Sequence, residues 1–177
     1  MISLKNFIKI CSVILSLCLS LQLISCGSHH SSAEEVVARL CKAEADLPMG
    51  TLYSSEAHEG EQNYLSHDIL FSAYLFTKDF KGICSAAVWL SSQGYPCEFA
   101  VFFCESNYAA EDVALFCHNR LEILNRYARE AADFCGMSYD DYASQIRNAS
   151  VLRSGRYAAL IISSDPDEAK RTFFSAI

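Results

Sequence analysis

Two pairs of nearly continuous apolar runs stand out along the chain, and each pair is joined by a short polar turn. The runs are residues 83–90, 99–104, 150–153 and 156–162. The first pair is joined by Ser91–Cys97 and the second by Ser154-Gly155, where glycine accepts the positive φ that a tight turn demands. This pattern predicts two β-hairpins. The first hairpin is apolar at nearly every position, which indicates cover on most of both faces or a central place in the sheet.

Apolar residues at helical spacing fill most of the remaining chain. The predicted helices are Ala33 to about Asp46, a short helix from Ser66, Asn107–Phe134, Tyr139–Arg147 and a last helix after Asp165. Ser32 and Glu35 have the capping-box pattern that begins the first helix, and Gly136 closes the longest. Residues 69–76 would equally suit a buried strand. Residues 50–63 are polar and aperiodic, which predicts a long surface loop.

A hairpin followed by a helix occurs twice, so the second half is a candidate duplication of a ββα unit. The pattern predicts an α+β fold. Two β-hairpins would form an antiparallel sheet of about four strands, with helices packed on one face. The 177 residues are enough for one core and too few for two comfortable domains. We therefore expect a single globular α+β domain over residues 33–177.

Residues 1–25 have the anatomy of a signal peptide. Lys5 and Lys9 precede an apolar run that is shorter than the roughly 20 residues a membrane-spanning helix needs. The segment Leu23–Gly27 resembles the bacterial lipobox, in which the cysteine sulfur receives a diacylglyceryl group before the signal is cut in front of it. This resemblance implies that Cys26 is the lipid attachment site and the mature amino terminus. An ordinary signal peptide or a short membrane anchor is the alternative.

A lipid anchor at Cys26 would place the protein on the outer, extracytoplasmic face of the cell membrane, with the bilayer as its partner. Two acyl chains on one residue hold a protein durably, whereas one chain is marginal. Residues 26–32 are small and polar, which is typical of a flexible tether. His29 and His30 lie on this tether, where a mobile pair lacks the fixed third and fourth ligands of a metal site. No metal site is predicted.

Composition and charge restrict the classes of partner. The chain has 14 basic and 21 acidic residues and a formal net charge of −7, which argues against a nucleic-acid partner. Its residues are 51% hydrophobic, and only seven are glycine, so a disordered or collagen-like chain is excluded.

Sequence motifs for catalysis are missing. The chain contains no Gly-rich phosphate loop, no His-Glu-x-x-His, no Gly-x-Ser-x-Gly and no Cys-x-x-Cys. Asp140 and Asp141 are adjacent on a predicted helix, where their side chains point about 100° apart and cannot flank one bond. No motif in the sequence joins His58, His67 or His118 to a carboxylate or cysteine in a catalytic arrangement. We predict no catalytic residue and no cofactor.

Four charged residues are candidates for a structural or anion-binding role. Arg120 falls in the second apolar stripe of its helix, where a guanidinium must find an acid or a carbonyl. Glu98, at the start of its strand, is the predicted partner. Such a pair could orient an anionic ligand, but a half-buried structural salt bridge is the favoured interpretation. Arg153 and Arg156 flank the tight turn, where they would bind an anion or a lipid headgroup, or protect an exposed strand.

Six cysteines remain once Cys11 and Cys18 of the signal and Cys26 are set aside. They are Cys41, Cys84, Cys97, Cys104, Cys117 and Cys135. Centring the first hairpin on Gly94 places Cys84 opposite Cys104, at a Cα separation of about 4.5 to 5.5 Å that a disulfide accepts. The two are therefore expected to be close and are candidates for a disulfide. The competing interpretation is a pair of reduced core residues.

Several segments resemble the small Gram-positive, clostridial-type lipoproteins with domain of unknown function 4358. They are the lipobox, Cys97–Phe102, Asn119–Leu121 and Gly155–Asp165. The resemblance runs from about Ala33 to the end and is strongest after Gly82. The Glu-rich loop and the number of cysteines depart from the family pattern. The resemblance implies a location and a fold and carries no activity.

Two hypotheses about function follow. The first is a non-enzymatic envelope module that binds an envelope protein or a small ligand. The second, the alternative, is a membrane-tethered hydrolase of an unrecognised kind. The missing motifs favour the first.

Overall fold

The structure, a computed structural model, describes residues 30–76 and 81–177. The predicted signal peptide and the lipid attachment site Cys26 lie outside the described residues. Residues 31–177 form one compact unit. Its strands are β1 (Gly50–Ser54), β2 (Ile83–Ser91), β3 (Glu98–Cys104), β4 (Ser150–Ser154) and β5 (Tyr157–Ile162). They form one antiparallel sheet in the order β1-β2-β3-β5-β4, so β3 is its centre.

The predicted α+β class is confirmed, with five strands in place of about four. The additional strand is β1, which falls in the segment predicted to be a loop. Leu52 pairs with Trp89 and Ser54 with Ala87 along the edge of β2. A short strand of mixed polarity gives no strong pattern of its own, so its strand conformation depends on the neighbour with which it pairs.

In the part of the chain that the structure describes, six helices cover the sheet. They are α1 (Ala33–Ala43), α2 (His67–Tyr74), α3 (Asn107–Arg126), α4 (Ala128–Cys135), α5 (Tyr139–Arg147) and α6 (Pro166–Ala176). The predicted capping box of Ser32 and Glu35 is present at the start of α1. Ser66 caps α2, so most of the segment 69–76, whose pattern suited either a helix or a strand, is helical. The long helix predicted over 107–134 is broken at Tyr127, whose backbone leaves helical geometry. The break lets α4 turn Ala128 and Ala132 into the core, where both are buried.

Helices cover both faces of the sheet, rather than the one face expected. Ala100, Phe102 and Leu160 belong to a core shared with α2, α3, α4 and α5. The alternate positions Val101 and Ile161 belong to a second core, which is shared with α1 and α6. Successive strand residues point to opposite faces, so strands that are apolar at every position need cover on both sides. A hairpin followed by a helix does occur twice, but the helices α3 and α6 lie on opposite faces.

The register of the β2–β3 hairpin follows the prediction over most of its length. Leu90 pairs with Glu98 and Ala86 with Phe102, as centring the loop on Gly94 requires. A β-bulge between Ile83 and Ser85 then shifts the pairing by one residue. Ile83, and not Cys84, is the register partner of Cys104.

Candidate functional site

Three elements meet at the carboxylate of Glu98, the first residue of β3. Arg120 of α3 binds this carboxylate through two nitrogens, with Nη2 2.8 Å from Oε2 and Nε 3.2 Å from the same oxygen. The hydroxyl of Tyr74, at the end of α2, donates to Oε1 at 2.5 Å. The structure therefore confirms the predicted Arg120–Glu98 pair and adds Tyr74 to it. We call these three residues the Glu98 cluster.

Burial governs the electrostatics of the Glu98 cluster. Glu98 is 4% exposed, and the side chain of Arg120 is 18% exposed. Burial, followed by the charge of Glu98, raises the pKa of Tyr74 well above its ordinary value, so its hydroxyl stays protonated and donates. Burial is the largest single influence on the pKa of Arg120 and acts to lower it, but the charge and the hydrogen bonds of Glu98, with smaller contributions from nearby tyrosines, together outweigh burial, and that pKa is raised. Both oxygens of Glu98 accept hydrogen bonds within the cluster, as a buried structural salt bridge requires.

Two cavities share lining residues from the β2–β3 loop, since Tyr95 and Cys97 line both. We call them together the loop cleft. The smaller cavity has a volume of about 210 Å³, and Glu98 and Arg120 lie in its wall beside apolar side chains. The larger cavity has a volume of about 490 Å³. Its polar lining residues are Glu44, Asp46, Gln93, Gln145 and Ser164.

Glu44 holds one wall of the larger cavity in place. This residue caps the end of α1, and its carboxylate reaches the segment between β5 and α6. It accepts hydrogen bonds from the Ser163 hydroxyl at 2.5 Å, from the Ser164 backbone N–H at 3.2 Å and from the Ser164 hydroxyl. Sequence reasoning missed Glu44, because nothing in the local pattern of α1 indicates which distant loop its side chain meets.

Arg153 and Arg156 lie at the other end of the sheet and take no part in the loop cleft. Arg153 forms an ion pair with Glu111 at 3.0 Å in which both side chains are well exposed. Arg156 donates from Nε to the carbonyl oxygen of Cys104 at 2.6 Å, and its guanidinium lies 4.3 Å from the ring centroid of Phe103. Both arginines therefore have structural partners.

All six cysteines of the described part of the chain carry free thiols. Cys84 is exposed, whereas Cys104 is fully buried. Burial is the main reason that the pKa of Cys104 rises to about 12, and the same is true of Cys41. In the loop cleft, burial and then the charge of Glu44 raise the pKa of Cys97, so this thiol is a poor nucleophile at neutral pH.

The remaining titratable candidates do not gather into a site. His58, His67 and His118 are exposed. Asp141 accepts the Ser138 hydroxyl in the first turn of α5. Within residues 30–76 and 81–177, no group of three or more potential metal ligands comes together.

No helix within residues 30–76 and 81–177 has the length and apolar character needed to cross a bilayer. Comparisons of the chain with protein-family models, with curated proteins and with solved structures returned no match.

Proposed function

We propose that this chain is an extracytoplasmic lipoprotein, held on the outer face of the cell membrane by acylated Cys26, and that its domain is a non-enzymatic binding module. The lipobox segment Leu23–Gly27 supports the anchor. The resemblance to the small lipoproteins with domain of unknown function 4358 supports the same location. A lipid anchor at Cys26 would place the folded domain, and with it the loop cleft, outside the cell.

The observation that carries the binding proposal is the polar wall of the larger cavity. Its volume of about 490 Å³ falls within the range of roughly 300–1,000 Å³ typical of small-ligand sites. The amides of Gln93 and Gln145 each offer a donor and an acceptor, and Asp46 adds a carboxylate. The domain as a whole is acidic. This chemistry suits a neutral or cationic polar ligand better than an anion.

The same cavity gives little support to catalysis. No histidine lines either cavity in the described part of the chain. Ser164 contacts the carboxylate of Glu44, but no histidine among the residues that line this cavity stands beside the pair to act as general base. Cys97 is protonated in its buried position. A hydrolase would need an activated nucleophile, and neither side chain supplies one.

Binding can be tested on the purified full chain in detergent by measuring its melting temperature with three probes. The probes are a short lysine-containing peptide, a neutral oligosaccharide and a polyanionic oligosaccharide. We expect the peptide or the neutral sugar to raise the melting temperature in a concentration-dependent way, since a ligand that binds only the folded state stabilises it. The polyanion should have no effect at matched ionic strength.

Two variants test whether the shift in melting temperature arises from binding in the loop cleft. Gln145→Ala removes an amide from the cavity wall and should reduce the shift, whereas Lys170→Ala, at a side chain of α6 that is 40% exposed and lines neither cavity, is the control and should preserve it. A melting temperature that responds to none of the three probes would contradict the cleft proposal. Chemical conversion of either bound probe would overturn the non-enzymatic interpretation.

A further inference from the structure

The smaller cavity of the loop cleft has the size of a chemical group rather than of a whole ligand. Its volume of about 210 Å³ is below the roughly 300–1,000 Å³ of a small-molecule site, yet several times the roughly 30 Å³ that one water molecule occupies in the liquid. Tyr95 and Cys97 also line the larger cavity of about 490 Å³. The smaller cavity therefore suits one group of a ligand whose remainder lies in the larger cavity.

Two hydrogen-bond donors in the wall of the smaller cavity have no protein partner. Arg120 binds Glu98 through Nε and Nη2, so its third nitrogen, Nη1, makes no hydrogen bond in the described part of the chain. The hydroxyl of Tyr142 makes none there either, although Tyr142 is only 3% exposed. Among the described residues, no fully enclosed side-chain nitrogen or oxygen lacks a partner, so both atoms are open to solvent. Both residues line the smaller cavity, where these donors are available to a group that enters it.

The charges in this wall favour a neutral acceptor over an anion. The positive charge of Arg120 is already paired with Glu98, which lies in the same wall and is almost fully buried. A carboxylate or phosphate of a ligand would be repelled by that buried carboxylate. Burial is the main influence on the pKa of Tyr142 and raises it, so its hydroxyl is protonated and can donate. A carbonyl oxygen has two lone pairs and can accept from both free donors.

The rest of the ligand is defined by the apolar wall of the smaller cavity and the polar wall of the larger one. The apolar lining residues of the smaller cavity are Leu90, Pro96, Leu124, Ala131 and Ile162. They favour a small apolar group beside the carbonyl, because its burial removes apolar surface from water. In the larger cavity, Gln93, Gln145 and Asp46 suit several hydroxyl groups, each of which both donates and accepts.

We propose that the loop cleft binds an N-acetylated sugar, with its acetamido group in the smaller cavity and its hydroxyl groups in the larger one. The carbonyl oxygen of the acetamido group accepts from Nη1 of Arg120 and from the hydroxyl of Tyr142, and its methyl group packs on the apolar wall. Tyr95 lines both cavities and contacts both parts of the sugar. The assignment rests on the binding function proposed above and names its ligand class.

The test measures binding to the purified full chain in detergent by isothermal titration calorimetry. The probes are a β-1,4-linked oligomer of N-acetylglucosamine and a β-1,4-linked glucose oligomer of the same length, which carries a hydroxyl group in place of each acetamido group. We expect the acetylated oligomer to bind at least about tenfold more tightly, because the glucose oligomer leaves both donors without their acceptor. Equal affinities, or binding of the lysine-containing peptide alone, would overturn the acetamido assignment and leave the proposed binding module in place. No binding of any probe would contradict both.

A pair of tyrosine variants locates the preference in the smaller cavity. Tyr142→Phe removes the free hydroxyl and keeps the ring that packs in the core, so the variant should fold normally. We expect its preference for the acetylated oligomer to fall several-fold, while its affinity for the glucose oligomer is unchanged. Tyr139→Phe, in the same helix at a side chain that is 43% exposed and lines neither cavity, is the matched control and should keep the full preference. An unchanged preference in Tyr142→Phe would overturn the proposed site.

Discussion

At the scale of the residue, Glu98 is a carboxylate that is almost fully buried and is hydrogen-bonded to protein groups. It is 4% exposed and accepts four hydrogen bonds, three from Arg120 and one from Tyr74. Each donor satisfies a lone pair that would otherwise be buried without a partner. The two donor residues contribute differently to stability, because the guanidinium of Arg120 carries a positive charge and the hydroxyl of Tyr74 is neutral.

Replacing Arg120 by Leu should destabilise the protein strongly. The variant keeps the apolar stem and leaves the charge of Glu98 buried and unpaired, at a cost of about 3 kcal/mol or more in the free energy of unfolding. Urea unfolding followed by circular dichroism measures the change. Arg153→Leu, which breaks the exposed pair with Glu111, is the control and should cost about 0–1 kcal/mol. Equal effects of the two substitutions would place Arg120 in solvent.

Replacing Tyr74 by Phe removes a neutral donor and keeps the aromatic ring in the core. We expect a loss of about 1–3 kcal/mol in the free energy of unfolding, because one lone pair of a buried carboxylate is left without its partner. Tyr127→Phe, on a tyrosine that is 55% exposed, should be nearly neutral. An unchanged urea midpoint for Tyr74→Phe would show that the hydroxyl adds nothing to the cluster.

The sequence predicted one half of the Glu98 cluster and could not predict the other. A guanidinium in an apolar helical stripe must find an acid, so Arg120 and its partner follow from the pattern. Tyr74 lies in a segment whose pattern suited both a helix and a strand, and the reach of its hydroxyl depends on how that helix packs. The role of Glu44 could not be predicted either, because its hydrogen-bond partners are more than 100 residues away in the chain.

At the scale of the element, β1 depends on a close approach between its first residue and β2. A Cβ added to Gly50 would lie 2.3 Å from the ring of Trp89 and 2.5 Å from the carbonyl oxygen of Leu90. Because one of these atoms belongs to the backbone, a side-chain rotation cannot relieve the clash. The edge strand must therefore shift or detach when Gly50 is changed.

Gly50→Ala should lower the free energy of unfolding by about 1–3 kcal/mol, the usual cost of overpacking. Hydrogen exchange of the β1 amides, followed by mass spectrometry, should rise more than exchange in β3. Thr51→Ala, at the next position of the same strand, is the control and should have a smaller effect. Unchanged protection of β1 in Gly50→Ala would contradict the close packing.

The elements themselves were predictable where a turn fixed the geometry. Gly94 and Gly155 set the two hairpins, and the pairing of Leu90 with Glu98 followed from the first. The bulge at Cys84 did not follow, because an inserted residue changes neither the apolar pattern nor the turn. The break at Tyr127 was missed because the apolar spacing continues across it.

At the scale of the whole molecule, the proposed lipid anchor at Cys26 can be tested independently of the folded domain. Cys26→Ala should move the protein from the membrane fraction to the soluble fraction, or leave an uncleaved precursor, and should abolish incorporation of labelled palmitate. Cys84→Ala, which changes a cysteine of the folded domain, should leave both properties intact. A cleaved Cys26→Ala protein that stays in the membrane fraction would contradict the lipid anchor.

The strand order also determines when the chain can finish folding. The centre of the sheet joins β3 to β5, and α6 packs against α1, so elements near both ends of the domain complete its two cores. The β2–β3 hairpin can form early through local contacts, but pairing of β3 with β5 must close a long loop first. A chain emerging from a secretion channel amino terminus first would carry Phe99 and Val101 without complete cover until residues 157–176 arrive. If the chain is exported as we propose, this topology requires that the emerging chain be protected from aggregation until its last strand and helix have formed.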